Sequence, residues 1–165
     1  MYETQMLEKA TQVINKIKEN GHTLGLAESC TGGWLSKIIT DVSGVSAVYK
    51  GGICSYSNEV KMNLLGVQAD TLAQYGAVSE QTARQMAAGV KETLNTDIGV
   101  GITGIAGPES DNTNKPVGLV YIAVATDSQI IVKEIKNSFT DDIRTKNRAA
   151  AVMTALELLG DIYEC

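Results

Sequence analysis

The sequence predicts a single α/β domain over residues 1–165, folded as a three-layer α/β/α sandwich with a mixed sheet. Three observations favour this fold class. The chain has 165 residues, about the length of one domain. Segments with helical periodicity alternate with short apolar segments, which is typical of parallel strands joined by helices. Two strand-like segments separated by two residues indicate a hairpin, so the sheet also contains antiparallel pairs.

The first half of the chain contains two predicted strands and five predicted helices. Gly21 is expected to end the first helix, and Ser79 is expected to cap the last one of this half. The Gly51-Gly52 pair indicates a bulge or a close backbone contact within a strand. In chain order the predicted elements are helix 3–20, strand 22–27, helix 32–42, strand 48–56 and helices 58–65, 68–74 and 79–94.

The second half of the chain is richer in strands. An apolar strand over 97–103 is followed by a polar loop over 104–115, the longest loop predicted. Strands 117–126 and 129–136 are joined by Asp127-Ser128, which predicts a hairpin. Helix 141–163 completes the chain, with an apolar stripe at helical spacing.

Composition and charge exclude several classes of protein. Hydrophobic residues make up 44% and charged residues 20% of the chain, as in ordinary globular proteins. No apolar run approaches the roughly 20 residues of a membrane helix, and the acidic N-terminus does not resemble a signal peptide. A net charge of −5 without a basic run argues against nucleic-acid binding. We expect a cytoplasmic homo-oligomer that acts on a small molecule.

The small numbers of cysteines and histidines limit the metal sites and disulfides that the protein can form. The three cysteines, Cys30, Cys54 and Cys165, form no CxxC pair, which favours reduced thiols in the cytoplasm. His22 is the single histidine, so a three-histidine zinc site is impossible. We expect neither a metal ion nor an organic cofactor.

The first candidate site lies where the strand 22–27 leads into the helix 32–42. Ser29 is expected at this turn, where open α/β folds bind ligands. Free N–H groups of Thr31, Gly32 and Gly33 would bind an anion or an oxyanion. The alternative interpretation is a capping hydroxyl with glycines that only turn the chain. If Ser29 is a nucleophile, His22 cannot be its base, because seven strand residues span about 23 Å; a lysine, a tyrosine or a carboxylate is needed.

Lys61 is the candidate base, and Tyr56 is its rival. If Asn58 caps the following helix, Lys61 lies in the first helical turn. There the helix dipole disfavours an ammonium group and lowers the lysine pKa. The alternative is an ordinary solvated surface lysine, which is the commoner case.

A second ligand loop is predicted after the strand 97–103. Gly104, Ala106 and Gly107 begin this loop, and their spacing matches neither the Walker nor the Rossmann pattern. A tight turn without ligand is the alternative. Lys115 closes the loop and could reach back towards a substrate.

Two arginines on the last predicted helix are candidates for a phosphate. Arg144 and Arg148 are one helical turn apart, a spacing suited to binding an anion. Since acidic residues precede them, a solvated helix face is the alternative.

These segments occur in an order that resembles one known family. The motifs, in chain order, are Ala27-Glu28-Ser29-Cys30-Thr31-Gly32-Gly33, Gly52, Tyr56-Ser57-Asn58-Glu59 with Lys61, Gly76-Ala77-Val78-Ser79, Gly104-Ile105-Ala106-Gly107-Pro108 and Lys115-Pro116-Val117-Gly118. Together they resemble the C-terminal domain of the CinA family (competence/damage-inducible protein) in its stand-alone nicotinamide-nucleotide amidohydrolase form. The resemblance covers residues 3–159. The N-terminal nucleotide-pyrophosphatase-type domain of longer relatives is absent from it, and that domain's activity is expected to be missing.

The resemblance implies hydrolysis of the carboxamide of nicotinamide mononucleotide to nicotinic acid mononucleotide and ammonia, in pyridine-nucleotide salvage. It implies that Ser29 is the nucleophile, Lys61 its basic partner and Tyr56 the third member of the site, with Gly52 among the substrate-binding residues. The family has an arginine in a Gly-Asp-Arg block. Here the corresponding stretch, 139–144, lacks the glycine and has one residue more, so Arg144 and Arg148 both stay candidates.

The implied mechanism agrees with the chemistry of the candidate residues. Neutral Lys61 would take the proton of Ser29 during attack on the amide, and N–H groups of 31–33 would stabilise the oxyanion. Two alternative hypotheses about the function remain. One is a non-catalytic domain of the same fold that binds a nucleotide or a partner. The other is a hydrolase based on Cys30, which is disfavoured because no histidine or second cysteine lies nearby in sequence.

Overall fold

The computed structural model describes residues 2–164, which form six α-helices, one 3-10 helix and a five-stranded sheet. In chain order the elements are α1 (Tyr2–Glu19), β1 (Leu24–Glu28), α2 (Trp34–Thr40), the 3-10 helix (Val45–Ala47), β2 (Tyr49–Cys54), α3 (Asn58–Leu65), α4 (Ala69–Tyr75), α5 (Glu80–Thr93), β3 (Ile98–Gly104), β4 (Leu119–Ala125), β5 (Ile130–Lys136) and α6 (Ile143–Asp161).

The sheet is mixed, with the strand order β2-β1-β3-β4-β5. β1 pairs in parallel with both β2 and β3, whereas β4 is antiparallel to β3 and to β5. Helices α1, α2 and α6 pack together on one face, and α3 and α4 pack against α5 on the other. The predicted α/β fold with a mixed sheet is therefore confirmed.

The two central parallel strands are buried along their length, as expected for strands covered on both faces. The larger core lies between the sheet and α1, α2 and α6. On the other face, α5 lies close to β3 because that strand presents glycines there. A Cβ atom at Gly99 or Gly101 would collide with the carbonyl oxygen of Ala87 or Ala83. This close contact fixes the position of α5 on the sheet.

Most predicted boundaries agree with the structure to within a few residues. Gly21 follows α1 with a left-handed φ of +68°, and Ser79 caps α5 by accepting a hydrogen bond from the N–H of Thr82. The N–H of Thr126 donates to the carbonyl of Gln129 across the predicted hairpin turn. A register shift opposite Leu24 and Gly25 is the bulge expected in the second strand.

Three boundaries differ from the predictions for physical reasons. β1 extends to Glu28, whose side chain is buried. α2 starts only at Trp34, because Gly32 and Gly33 have φ of +56° and +93°. The N-cap of α3 is Ser57, whose Oγ accepts from the N–H of Val60 at 3.2 Å; the prediction that Asn58 is the cap was wrong by one residue.

The topology opens a crevice at the carboxyl ends of β1, β2 and β3. The chain leaves β1 towards α2 on one face of the sheet and leaves β2 towards α3 on the opposite face. Such a divergence is where open α/β sheets bind ligands. Ser29, Tyr56 and Gly104 all lie at this edge.

Candidate active site

Ser29 and Lys61 meet in the crevice, although 32 residues separate them in the sequence. Ser29 follows β1 directly, and Lys61 is the fourth residue of α3. Lys61 Nζ lies 3.2 Å from Ser29 Oγ, within the distance needed for proton transfer between a nucleophile and its base.

The amine of Lys61 is buried without a counter-charge. The side chain is 1% exposed, and none of the ion pairs within residues 2–164 involves it. Burial lowers the pKa of Lys61 from 10.5 to about 8, because desolvation penalises the ammonium form. The alternative of a solvated surface lysine is thereby excluded.

The hydrogen-bond partners of Lys61 suit a neutral amine. Nζ donates to the carbonyl oxygens of Ser55 at 2.6 Å and Tyr56 at 3.3 Å. A neutral amine has two N–H groups, which these two carbonyls occupy, and one lone pair, which is left for the hydroxyl of Ser29. The arrangement can therefore remove a proton from the serine.

Glu28 fixes the turn that carries Ser29, a role that the sequence did not reveal. Its carboxylate accepts hydrogen bonds from the N–H groups of Gly33 (3.1 Å), Leu35 (3.0 Å) and Ser36 (2.8 Å), and from Ser36 Oγ at 2.7 Å. The N-terminus of α2 is thus occupied by a protein side chain. A single charge at the end of an otherwise apolar strand was the signal for it.

The N–H group available to an oxyanion is that of Cys30, because Thr31 is completely buried. Gly32 donates to the carbonyl of Ser29 at 3.0 Å, which closes a turn with Cys30 and Thr31 at its centre. Within the described residues, no acceptor takes the N–H of either central residue. The predicted contributions of the Gly32 and Gly33 amides to an oxyanion site were wrong, because both already donate within the protein.

A cleft leads from Ser29 to the protein surface. Its inner pocket, of about 180 Å³, is lined by Ser29, Lys61, Tyr56 and Arg144 among others. An outer pocket of about 400 Å³ shares Tyr56 and Arg144 and is lined further by the segment 104–111. The inner pocket contains the reactive pair, and the outer one can hold the rest of a larger substrate.

Arg144 and Tyr56 lie together at the mouth of this cleft. Arg144 donates to the carbonyl of Gly107 at 2.8 Å and to Tyr56 Oη at 3.2 Å. The Tyr56 side chain is 64% exposed, so its hydroxyl lies at the rim, whereas its backbone carbonyl contacts Lys61. Gly104 and Ala106 line both pockets, as the loop prediction expected.

The other predicted substrate-binding residues lie outside this cleft. Arg148 donates to the carbonyls of Cys30 and Thr31 and lines a separate shallow depression with Gly32 and Gly33. Lys115 donates to the carbonyls of Tyr75 and Val78. Gly52 is packed below the hydroxyls of Tyr49 and Ser36. Of the two arginines, Arg144 alone reaches the cleft.

Three further residues support or line the cleft and were not among the predicted substrate-binding residues. Thr103 Oγ1 donates to the carbonyl of Ala77 at 2.7 Å, and Asn147 Nδ2 donates to the carbonyl of Ala106 at 2.9 Å. Asp111 lines both pockets. Nothing in the spacing of these residues indicated which loop each would contact.

His22 lies at the opposite end of β1 from Ser29, as expected. Its Nδ1 is 2.8 Å from Tyr163 Oη, and the two rings stack. Cys30 is buried, and desolvation raises the pKa of its thiol to about 12. A thiolate nucleophile at Cys30 is therefore disfavoured on chemical grounds. Cys165 lies outside the described residues.

The described residues were also compared with the requirements of a metal site and of a membrane-spanning helix. Among residues 2–164, no three His, Cys, Asp or Glu side chains are placed to hold a metal ion together. None of the helices described is both long and apolar enough to span a bilayer.

Comparison with known proteins identifies the family. The family model of the CinA C-terminal domain matches residues 6–163. CinA-like proteins of Kosmotoga olearia and Rippkaea orientalis are 46% and 47% identical over 89% and 91% of this chain. The chain spans 35% and 36% of the length of those two relatives.

Solved structures agree over nearly the whole chain. The competence/damage inducible protein CihA of Agrobacterium tumefaciens has a TM-score of 0.90 at 39% identity and covers 96% of this chain, which covers 95% of it. A CinA superfamily protein of Klebsiella pneumoniae has a TM-score of 0.90 at 33% identity, with 94% and 96% covered. This chain therefore belongs to the CinA C-terminal domain family.

Proposed function

We propose that the protein is an amidase that hydrolyses the carboxamide of nicotinamide mononucleotide to nicotinic acid mononucleotide and ammonia. The observation that carries this proposal is the contact between Lys61 Nζ and Ser29 Oγ, at 3.2 Å in a buried site. A lysine whose pKa is lowered to about 8 provides a workable fraction of neutral amine near neutral pH.

The first half of the reaction forms an ester on Ser29. Lys61 takes the proton of the hydroxyl as Ser29 Oγ attacks the amide carbon, and the oxyanion that forms is stabilised by the N–H group of Cys30. The Lys61 ammonium then gives its proton to the amide nitrogen. The C–N bond breaks, and ammonia leaves the site.

The second half restores the enzyme. Lys61 takes a proton from a water molecule that attacks the ester carbon, and the proton returns to Ser29 Oγ as the C–O bond breaks. The net reaction consumes one amide and one water, and it yields one carboxylic acid and one ammonia. The residues of this chain supply all the proton transfers.

The substrate class is supported by the shape of the cleft and by the arginine at its mouth. The inner pocket beside Ser29 suits a flat ring with its carboxamide, and the outer pocket suits a ribose phosphate. Arg144 lies between the two, where a guanidinium can bind a phosphate through two N–H groups. Because a carboxamide is unreactive, binding of these distant groups must hold it in place for attack.

Ammonia release from nicotinamide mononucleotide by the purified protein tests the proposal. We expect one ammonia for each nicotinic acid mononucleotide formed, and no release by Ser29→Ala, with Ser46→Ala as a surface serine control. A protein that binds the nucleotide but releases no ammonia would instead be the non-catalytic nucleotide-binding domain.

A further inference from the structure

We propose that Arg148 is a positioning residue that holds the turn after Ser29 so that the N–H of Cys30 meets the reacting oxygen. The inference rests on the proposed function, since it assigns Arg148 a part in the same site. It separates Arg148 from Arg144, which lies one helical turn earlier in α6 and lines the cleft.

The guanidinium of Arg148 is held from three sides without any ligand. Nε donates to the carbonyl of Cys30 at 3.1 Å, and Nη2 donates to the carbonyl of Thr31 at 3.0 Å. Its central carbon lies 5.3 Å from the centre of the Trp34 ring, a cation–π contact. The turn between β1 and α2 is thus tied to α6 by a pair of charged hydrogen bonds.

The geometry of the peptide bond transmits this contact to the reaction site. The carbonyl of Cys30 and the N–H of Thr31 belong to one planar trans peptide and point in opposite directions. A cation on the carbonyl side therefore holds this peptide in one orientation, with its N–H directed away from α6. Hydrogen bonds in such chains strengthen one another.

The adjoining peptide is fixed in the same way. Arg148 holds the carbonyl of Thr31, and the N–H of the same peptide, on Gly32, donates to the carbonyl of Ser29 at 3.0 Å. The carbonyl of Ser29 shares its peptide with the N–H of Cys30, which lines the inner pocket. The contacts of Arg148 therefore hold this N–H in place before any substrate binds. Preorganised donors of this kind stabilise a developing oxyanion more than donors that must reorient.

The surroundings of Arg148 argue against a role as ligand of the substrate phosphate. Its depression is shared with Gly32, Gly33, Trp34 and Lys37, and neither Ser29 nor Lys61 lines it. Two of its N–H groups already donate to the protein. Arg144, by contrast, is exposed and shares the inner pocket with Ser29.

Kinetics of matched variants test the assignment. We expect Arg148→Gln to lower kcat by roughly 10- to 100-fold, below the loss from removing an oxyanion donor outright, with KM within about threefold of wild type. Arg144→Gln should raise KM instead. Lys37→Gln, in the same depression but without contact to the turn, should match wild type. The basic limb of the pH profile should keep its midpoint in Arg148→Gln, because Lys61 is untouched.

A second measurement makes the test independent of the substrate. A fluorophosphonate probe is attacked by Ser29 Oγ, with a P–O bond formed, the P–F bond broken, fluoride released and the serine proton passed to Lys61. Arg148→Gln should slow this labelling by about the same factor as kcat, and Arg148→Lys, which keeps one charged donor, should restore part of it. Melting temperatures show which variants are folded, and Arg148→Lys provides the comparison if Arg148→Gln is not.

The outcomes distinguish this inference from the proposed function. Wild-type labelling rates in Arg148→Gln, or a raised KM with unchanged kcat, would overturn the positioning role. If wild type is labelled at Ser29 but releases no ammonia from nicotinamide mononucleotide, the substrate assignment fails, while slower labelling of Arg148→Gln still supports the positioning role. If the wild-type protein is not labelled at all, Ser29 is not a nucleophile, and both proposals fail.

Discussion

Two turns meet at Ser29, and each brings one ionisable side chain into the protein interior. Glu28, at the turn from β1 to α2, and Lys61, beyond the turn from β2 to α3, are both 1% exposed. Glu28 accepts four hydrogen bonds, three from backbone N–H groups and one from a hydroxyl. Among residues 2–164, the hydrogen-bond partners of Lys61 Nζ are two carbonyls and the hydroxyl of Ser29.

The difference between the two turns lies in how the buried charge is compensated. The carboxylate of Glu28 faces donors on every side, so burial leaves its charged form fully bonded. The amine of Lys61 has no carboxylate partner, and burial lowers its pKa to about 8. Burial thus makes Glu28 a structural support and, in the proposed mechanism, makes Lys61 a base. Buried ionisable side chains whose pKa is shifted, such as that of Lys61, are concentrated at functional sites.

The largest effect on activity is expected at Ser29, where the two turns meet. Ser29→Ala removes the proposed nucleophile, so amidase activity should fall by about 10⁴-fold or more, the loss seen when serine hydrolases lose their nucleophile. Folding should be unaffected, since alanine keeps the backbone bond from the Ser29 N–H to the carbonyl of Ile102. Ammonia release and the melting temperature check these two expectations.

Cys30 provides the contrasting variant for this prediction. The pKa of the thiol is raised to about 12, so its side chain should contribute nothing to attack. If Cys30→Ala abolished hydrolysis and Ser29→Ala did not, the thiol would be the nucleophile and the assignment of Ser29 would be wrong.

The second largest effect on activity is expected at Lys61, whose buried amine has no carboxylate partner among the described residues. Only neutral Lys61 accepts a proton, so activity should rise with pH along one basic limb with a midpoint near its pKa of about 8. At pH 7 only about a tenth of the amine is neutral. Lys61→Arg should lose roughly 10³-fold or more, because guanidinium stays protonated. The measurement is kcat/KM against pH, with Lys50→Arg on β2 as an exposed control.

A pH profile that is flat between pH 6 and 9 in wild type would contradict the base assignment. Activity retained in Lys61→Arg would contradict it as well, and either result would remove the contrast between the two turns.

Replacing Glu28, whose buried charge is compensated by four hydrogen bonds, is expected to destabilise the protein. Glu28→Gln replaces two acceptor oxygens by one oxygen and an NH₂ group that faces backbone N–H donors. We expect the free energy of unfolding to fall by about 2–3 kcal/mol, the range for hydrogen bonds to a charged group. Urea denaturation measures it. Ser36→Ala removes one of the four bonds and also the bond that Ser36 Oγ accepts from Tyr49 Oη, so it should cost about 2 kcal/mol.

An unchanged free energy of unfolding in Glu28→Gln would show that the carboxylate does not stabilise the turn. Below the unfolding transition, any loss of activity in this variant should appear in kcat, because Glu28 is not among the residues that line the cleft.

Much of the fold follows from local patterns in the sequence. Helical and strand periodicities predicted the main elements, and Asp127-Ser128 predicted the hairpin between β4 and β5. The predicted start points of elements agree less closely with the structure, because the backbone conformation of one or two residues decides where an element begins. α2 starts two residues later than predicted, since Gly32 and Gly33 adopt left-handed conformations.

The candidate site was only partly predictable, because its contacts join distant parts of the chain. The motifs pointed to Ser29 and Lys61, but the burial of Lys61 depends on the packing of α3, and its two carbonyl partners come from the end of β2. The separation of Arg144 from Arg148 depends on how α6 crosses α2. No local pattern encodes either of these long-range contacts.

The smallest effect is expected at Tyr56, the rival base. Its backbone carbonyl, not its hydroxyl, contacts Lys61; the hydroxyl accepts from Arg144 at 3.2 Å on a side chain that is 64% exposed. Tyr56→Phe keeps the first contact and loses only the second, a single exposed hydrogen bond of ~0.5 kcal/mol. KM should therefore rise about two- to threefold, with kcat and the basic limb unchanged. The pH profiles of Tyr56→Phe and Lys61→Arg, measured side by side, decide between the two bases. If Tyr56→Phe removed the basic limb while Lys61→Arg kept it, Tyr56 would be the base, and the buried amine would be a support like Glu28.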